Sequence, residues 1–137
     1  MPLPKLLLVH YDPKARVRFR SALEQGGFVV EEAKDGATAM ARFIEMEPDA
    51  VLIEAMIPKV SGFEVCQDIK KTRRGRQIPV ILMTSVYKTR KYRDEAIHTY
   101  GADEYIELPM DDAQLVALIH RTLPQPAEDA PVVGAGP

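Results

Sequence analysis

The sequence predicts an α/β domain built on a doubly wound, five-stranded parallel sheet, a (βα)5 chain. Three observations predict it. Short, continuous apolar runs recur along the chain, as strands covered on both faces require. Between them lie segments whose apolar residues return at helical spacing. Gly, Pro and Asp punctuate the joins, so strand and helix alternate from end to end. That alternation is the pattern of a parallel sheet with helices on both faces and right-handed crossovers.

Leu6 to Val9 is the first apolar run. Asp12 and Pro13 then read as the N-cap and first position of a helix carrying Ala15, Phe19, Ala22 and Leu23. Gly26-Gly27 ends it, and Phe28-Val-Val30 begins the second strand. Gly36 precedes a helix with Ala39, Met40, Phe43 and Ile44 on one face, stopped by Pro48-Asp49. Ala50 to Ile53 is the third strand. After a loop over Pro58 to Gly62, the residues Phe63, Val65, Cys66 and Ile69 mark the third helix. Arg73 to Arg76 reads as a polar connector, and Ile78 to Met83 as the fourth strand. A charged helix over about 88–100 bears Ala96, Ile97 and Tyr100, and Gly101 closes it. Glu104 to Ile106 is the fifth strand. The last helix carries Leu115, Leu118 and Ile119, with Asp111 or Asp112 as its cap.

The expected domain covers residues 1–123. Residues 124–137 hold four of the eleven prolines and two of the eight glycines, with no helical or strand period, so they are expected to be a disordered tail or linker. Eighteen Lys+Arg against twenty Asp+Glu give a net charge of −2, which offers no global support for non-specific nucleic-acid binding. The single cysteine excludes an intramolecular disulfide and a multi-cysteine zinc site. The apolar run Leu6–Val9 is too short for a signal peptide or a membrane span, so the expected location is cytoplasmic.

Open α/β sheets bind their ligands at the carboxyl ends of the strands, where the strand order reverses. That rule selects His10-Tyr11-Asp12, Glu54, Thr84-Ser85 and Glu107-Leu108-Pro109. In this order these segments resemble the receiver domain of two-component response regulators, over about residues 5–122. The resemblance rests on Val9-His-Tyr-Asp-Pro13, Pro48 to Pro58, Gly62-Phe-Glu-Val-Cys66, Pro79 to Ser85 and Gly101 to Pro109. It implies a flavodoxin-like, receiver-like fold, with Thr84 and Tyr105 as the switch pair. The Leu108–Pro109 bond is expected to be cis by the same resemblance.

The resemblance also marks departures. The family's paired acids, which help hold Mg²⁺, fall on His10 and Tyr11; its phospho-accepting Asp falls on Glu54; its Lys falls on Leu108, beside a retained Pro109. Asp12 keeps a carboxylate. Phosphoryl transfer needs an in-line nucleophile, a divalent ion and a cation for the charged oxygens. Mg²⁺ takes hard oxygens in a tight octahedron, whereas imidazole suits softer metals. The glutamate is one methylene longer than aspartate, and a misplacement of about 1 Å already costs about a hundredfold. The reading is therefore a degenerate pseudo-receiver, not an enzyme, with no cofactor and no metal.

Other readings stay open beside it. Glu54 either mimics a phosphorylated Asp or is a half-exposed polar residue. His10 is either a hydrogen-bonded strand-end histidine, a metal ligand or a residue titrating near neutrality. Thr84 is either a switch or a loop cap, and Tyr105 either a switch or a packed aromatic. Cys66 sits on an apolar helix stripe, and His98 and His120 are expected on the surface. Lys70, Lys71, Arg73, Arg74 and Arg76 are five cations in seven residues; Lys88, Arg90, Lys91 and Arg93 are four in six. Topology puts the two groups at opposite ends of the sheet, which argues against one nucleic-acid stripe. The expected partners are signalling proteins, or a second copy in a homodimer. By resemblance the contact is the face of the fourth helix, fifth strand and fifth helix, with Tyr92, Ile97 and Tyr100 as candidates. The alternatives are a phospho-accepting receiver using Asp12 or Ser85, and the regulatory domain of a longer protein with a DNA-binding or other output domain.

Overall fold

The computed structural model describes residues 2–124. The expected tail therefore lies outside the described residues, apart from Pro124. Five parallel strands stand in the order β2-β1-β3-β4-β5. They are β1 (Lys5–Val9), β2 (Val29–Ala33), β3 (Ala50–Glu54), β4 (Val80–Thr84) and β5 (Glu104–Glu107). The order reverses at β1, which lies between β2 and β3. The helices are α1 (Pro13–Gln25), α2 (Gly36–Met46), α3 (Gly62–Lys70), α4 (Arg73–Gln77), α5 (Arg90–His98) and α6 (Asp112–Thr122).

Caps set the helix starts. Asp12 accepts the Lys14 amide, Asp35 the Thr38 amide, Ser61 the Glu64 amide and Asp111 the Ala113 amide. The expected connector at Arg73–Arg76 is instead the short helix α4. Thr72 Oγ1 accepts the Gly75 amide at 2.9 Å and donates to the Ile69 carbonyl at 2.6 Å, joining α4 to the end of α3. The (βα)5 order thus carries one extra turn of helix, and the expected fourth and fifth helices are α5 and α6. The second strand begins at Val29 rather than Phe28.

Strand alternation divides the core into two layers. Leu7, Val9, Val51, Ile53, Val80 and Leu82 face Phe43, Val65, Cys66, Ile69 and Ala96 of α2, α3 and α5. Leu6, Leu8, Ala50, Leu52, Ile81 and Met83 face Phe19, Leu23, Leu115 and Ile119 of α1 and α6. Each fully buried leucine or isoleucine contributes about 1.5–3 kcal/mol relative to exposure. β3 and β4 are buried along their whole length, which fixes where their last residues, Glu54 and Thr84, stand.

Candidate functional site

The candidate residues converge at the carboxyl ends of β1, β3 and β4. His10, Glu54 and Thr84 are all buried there, at 6%, 4% and 0% exposure. Glu54 is therefore not the half-exposed residue that one reading of the sequence allowed.

His10 is held on every side. Its amide donates to the Ala33 carbonyl at 3.1 Å, and its carbonyl accepts Arg16 Nη1 at 2.7 Å. Nδ1 accepts the Asp12 amide at 3.1 Å, which places the ring proton on Nε2. Nε2 faces Glu54 Oε1 at 3.6 Å. Burial pushes the imidazole pKa down from its ordinary value; Asp12 pulls it up, and Arg16 pushes it down again. Burial pushes the Glu54 carboxyl up, against the Met56 and Ala55 amides, which favour the carboxylate. Tyr11 stacks on the His10 ring at 5.0 Å and is half exposed.

Thr84 Oγ1 accepts the amides of Val86 and Tyr87, at 3.0 and 2.9 Å. Tyr105 is buried, and its hydroxyl donates to the Tyr87 carbonyl at 2.6 Å. Burial, then the Glu107 charge, push this phenol up to about 12. Its carbonyl accepts Arg93 Nη1 at 3.0 Å. The Leu108 amide donates to the Thr84 carbonyl at 2.7 Å, the Leu108–Pro109 bond is cis, and the Leu108 side chain packs against the α1/α6 layer of the core.

These residues do not fit a Mg²⁺ ion. Nδ1 of His10 is committed to the Asp12 amide, Nε2 faces Glu54 Oε1 at 3.6 Å, and Asp12 Oδ1 caps α1 at 3.3 Å from the Lys14 amide. Among the described residues no group of three or more His, Cys, Asp or Glu could hold a metal ion. Leu108 carries no charge, and its side chain packs on the core.

The other candidates separate by place. Tyr92 packs on Tyr87 at 4.8 Å and Tyr100 on Phe63 at 5.4 Å, so both, like Ile97, are half-buried rather than bare. Most of the first basic cluster is tied within the chain. Lys70 reaches Asp103 and the Ile78 carbonyl, Arg74 reaches Asp49 and the Pro48 carbonyl, and Arg76 reaches the Lys71 carbonyl. In the second, Arg93 alone makes such a bond among the described residues. His98 and His120 are both exposed, as expected, and His120 also sets Nε2 2.7 Å from the Gly26 carbonyl with its ring on Phe28. Cys66 is buried, and burial pushes its thiol up to about 12. Sequence reasoning passed over Met56 and Val86, which are exposed directly past the ends of β3 and β4. An apolar residue just beyond a strand end was the available signal. No helix among the described residues is long and apolar enough to cross a membrane.

The sequence profile of the response regulator receiver domain matches residues 6–120. The DNA-binding dual master transcriptional regulator RpaA of Synechocystis sp. is 31% identical, over 98% of this chain and 58% of that protein. Response regulator MprA of Mycobacterium sp. is 32% identical, over 97% of this chain and 57% of that protein. The chain therefore spans a little over half the length of these curated relatives. In fold it resembles the chemotaxis response regulator CheY4 of Vibrio cholerae, with a TM-score of 0.80 at 22% identity, covering 88% of this chain and 99% of that one. The BeF3-activated DrrB receiver domain gives 0.78 at 27% identity, covering 88% and 97%. With its parallel five-stranded sheet, its profile match across most of its length and relatives above 30% identity, the chain belongs to the response regulator receiver domain family.

Proposed function

We propose that this receiver domain is a degenerate pseudo-receiver, a protein-interaction module in two-component-type signalling that works without phosphorylation. The observation that carries the reading is the buried His10–Glu54 arrangement, 3.6 Å apart, at the ends of β1 and β3. An imidazole whose Nδ1 is held by the Asp12 amide and whose Nε2 faces Glu54 stands where Mg²⁺ chemistry needs hard oxygens, and Leu108 supplies no charge. The scaffold around it is intact. Thr84 Oγ1 accepts the Tyr87 amide and Tyr105 donates to the Tyr87 carbonyl, so both meet on one residue between the site and the face formed by α5, β5 and α6. In this reading that face, with Tyr92, Ile97 and Tyr100, receives a signalling partner or a second copy. Regulation follows from partner binding rather than from acyl phosphate.

Incubation with acetyl phosphate, or beryllofluoride, plus Mg²⁺ tests it. No saturable change in the amide spectrum is expected at Glu54, Thr84 or Tyr105. A saturable, Mg²⁺-dependent shift there overturns the reading. The extra length of the relatives supports a second proposal, that the domain regulates an output domain. Whether coding sequence continues past Pro137 decides that.

A further inference from the structure

Three large apolar side chains stand exposed at one end of the sheet: Tyr11 at 50%, Met56 at 42% and Val86 at 56%. They follow β1, β3 and β4, which are neighbours in the sheet. Segments that follow parallel strands leave from the same edge, and a spacing of about 4.8 Å per strand brings the three within a span of about 10 Å. Exposed apolar residues scattered singly are ordinary, but three on the loops that leave neighbouring strands stand near enough for one partner to cover them together.

Each of the three is fixed from beneath by a different buried polar residue. Tyr11 stacks on His10, whose Nδ1 holds the following amide, that of Asp12. The Met56 amide lies 3.5 Å from Glu54 Oε2. The Val86 amide donates to Thr84 Oγ1 at 3.0 Å. Exposed cations stand on the same connections: Lys59 after β3, and Lys88, Arg90 and Lys91 after β4. Among the described residues only Lys59 of these four makes an ion pair, with Asp35 at 3.4 Å.

We propose that Tyr11, Met56 and Val86 form a docking surface for an acidic protein segment that lays one apolar side chain between them. The proposal rests on the reading that the chain acts by protein contact, and it places a contact at the sheet end, apart from the α5–β5–α6 face. Loops fixed by buried hydrogen bonds lose little entropy on binding. The apolar anchor provides the affinity, and the cations on the rim select carboxylates and speed encounter. Single-stranded nucleic acid fits less well. Met56 and Val86 offer no stacking face, and Tyr87 and Tyr92 are packed on each other.

Amide spectra of the full chain, titrated with synthetic peptides, test the proposal. The probes are an acidic Asp/Glu peptide with a central leucine, the same peptide with serine for leucine, and a basic peptide with the leucine. The acidic leucine peptide is expected to shift the amides of residues 11–12, 56 and 86–87. Affinity should fall about tenfold with the serine peptide, and about as much for M56S/V86S protein with an unchanged thermal midpoint. K88E/R90E/K91E should weaken binding and flatten its salt dependence. Equal binding of the serine peptide, no shift at all, or undiminished binding by M56S/V86S overturns the proposal. So does tighter binding of a single-stranded oligonucleotide at the same residues. Shifts confined to α5, β5 and α6 overturn this surface and leave the protein-contact reading standing, whereas a beryllofluoride response sinks that reading separately.

Discussion

Nε2 of His10 faces Oε1 of Glu54 at 3.6 Å with both side chains out of water, and burial pushes both toward their neutral forms. The two titrations pull stability in opposite directions. His10 is held below its ordinary 6.5, so its contribution is present above that pH and fades as pH falls toward the folded value. Glu54 is held above its ordinary 4.5, so its contribution is present below that pH and fades as pH rises through the folded value. Acidification through this window therefore removes one contribution while restoring the other. Urea unfolding from pH 7.5 to 4.5 should show a shallow dependence for the natural chain. E54Q should lose stability on acidification and H10N should gain it, each by at most about 1.4 kcal/mol per pH unit. Slopes of the same sign in both variants contradict the assignment.

Restoring one residue should not restore phosphorylation. E54D shortens the carboxylate but leaves His10, Tyr11 and Leu108 in place. Mass spectrometry after acetyl phosphate with Mg²⁺ should show no added phosphoryl group on E54D. The combined H10D/Y11D/E54D/L108K variant should show one. A phosphorylated E54D protein would mean that the missing ligands and cation are dispensable.

Tyr105→Phe removes the donor to the Tyr87 carbonyl and costs about 1 kcal/mol. Amide exchange should accelerate at Val86 and Tyr87 before it does so in β4. The phenol, raised to about 12, contributes stability that is present below pH 10 and fades as pH rises to about 12. Unfolding midpoints between pH 9 and 11.5 should fall less steeply in Y105F than in the natural chain.

Gly75→Ala tests α4. A Cβ there runs into the Ile69 carbonyl, which is backbone and cannot step aside. The expected loss is about 2–3 kcal/mol by urea unfolding. Arg73→Ala, at an exposed position in the same helix, should stay within about 0.5 kcal/mol.

The sheet was legible because each strand is an apolar run between turn residues, and the helices because of their apolar spacing and the caps Asp12 and Asp111, whereas the caps Asp35 and Ser61 came only with the structure. α4 was hidden for a physical reason. Its five residues carry no apolar stripe, and its start depends on Thr72 bonding forward to Gly75 and back to Ile69, a tertiary closure with no periodic signal. Strand ends located the site, and resemblance supplied the roles of its residues. The ring tautomer of His10, the burial of Glu54 and the Tyr105–Tyr87 bond depend on side-chain placement across strands, which spacing along the chain does not encode. The five cations from Lys70 to Arg76 stand out in the sequence as a basic cluster, and the structure shows Lys70 and Arg74 as clamps on distant carbonyls and carboxylates.

A sheet sealed on both sides has one further consequence. The two layers share no side chain, so lifting a helix from one face of the sheet does not by itself uncover the side chains on the other. Cys66 belongs to the layer that also holds Tyr105 and Phe63, and its sulfur lies 3.6 Å from the Tyr100 carbonyl. Thiol labelling of Cys66 should therefore be slow while α3 and α5 are seated on the sheet, and should follow the opening of that layer rather than of the one held by α1 and α6.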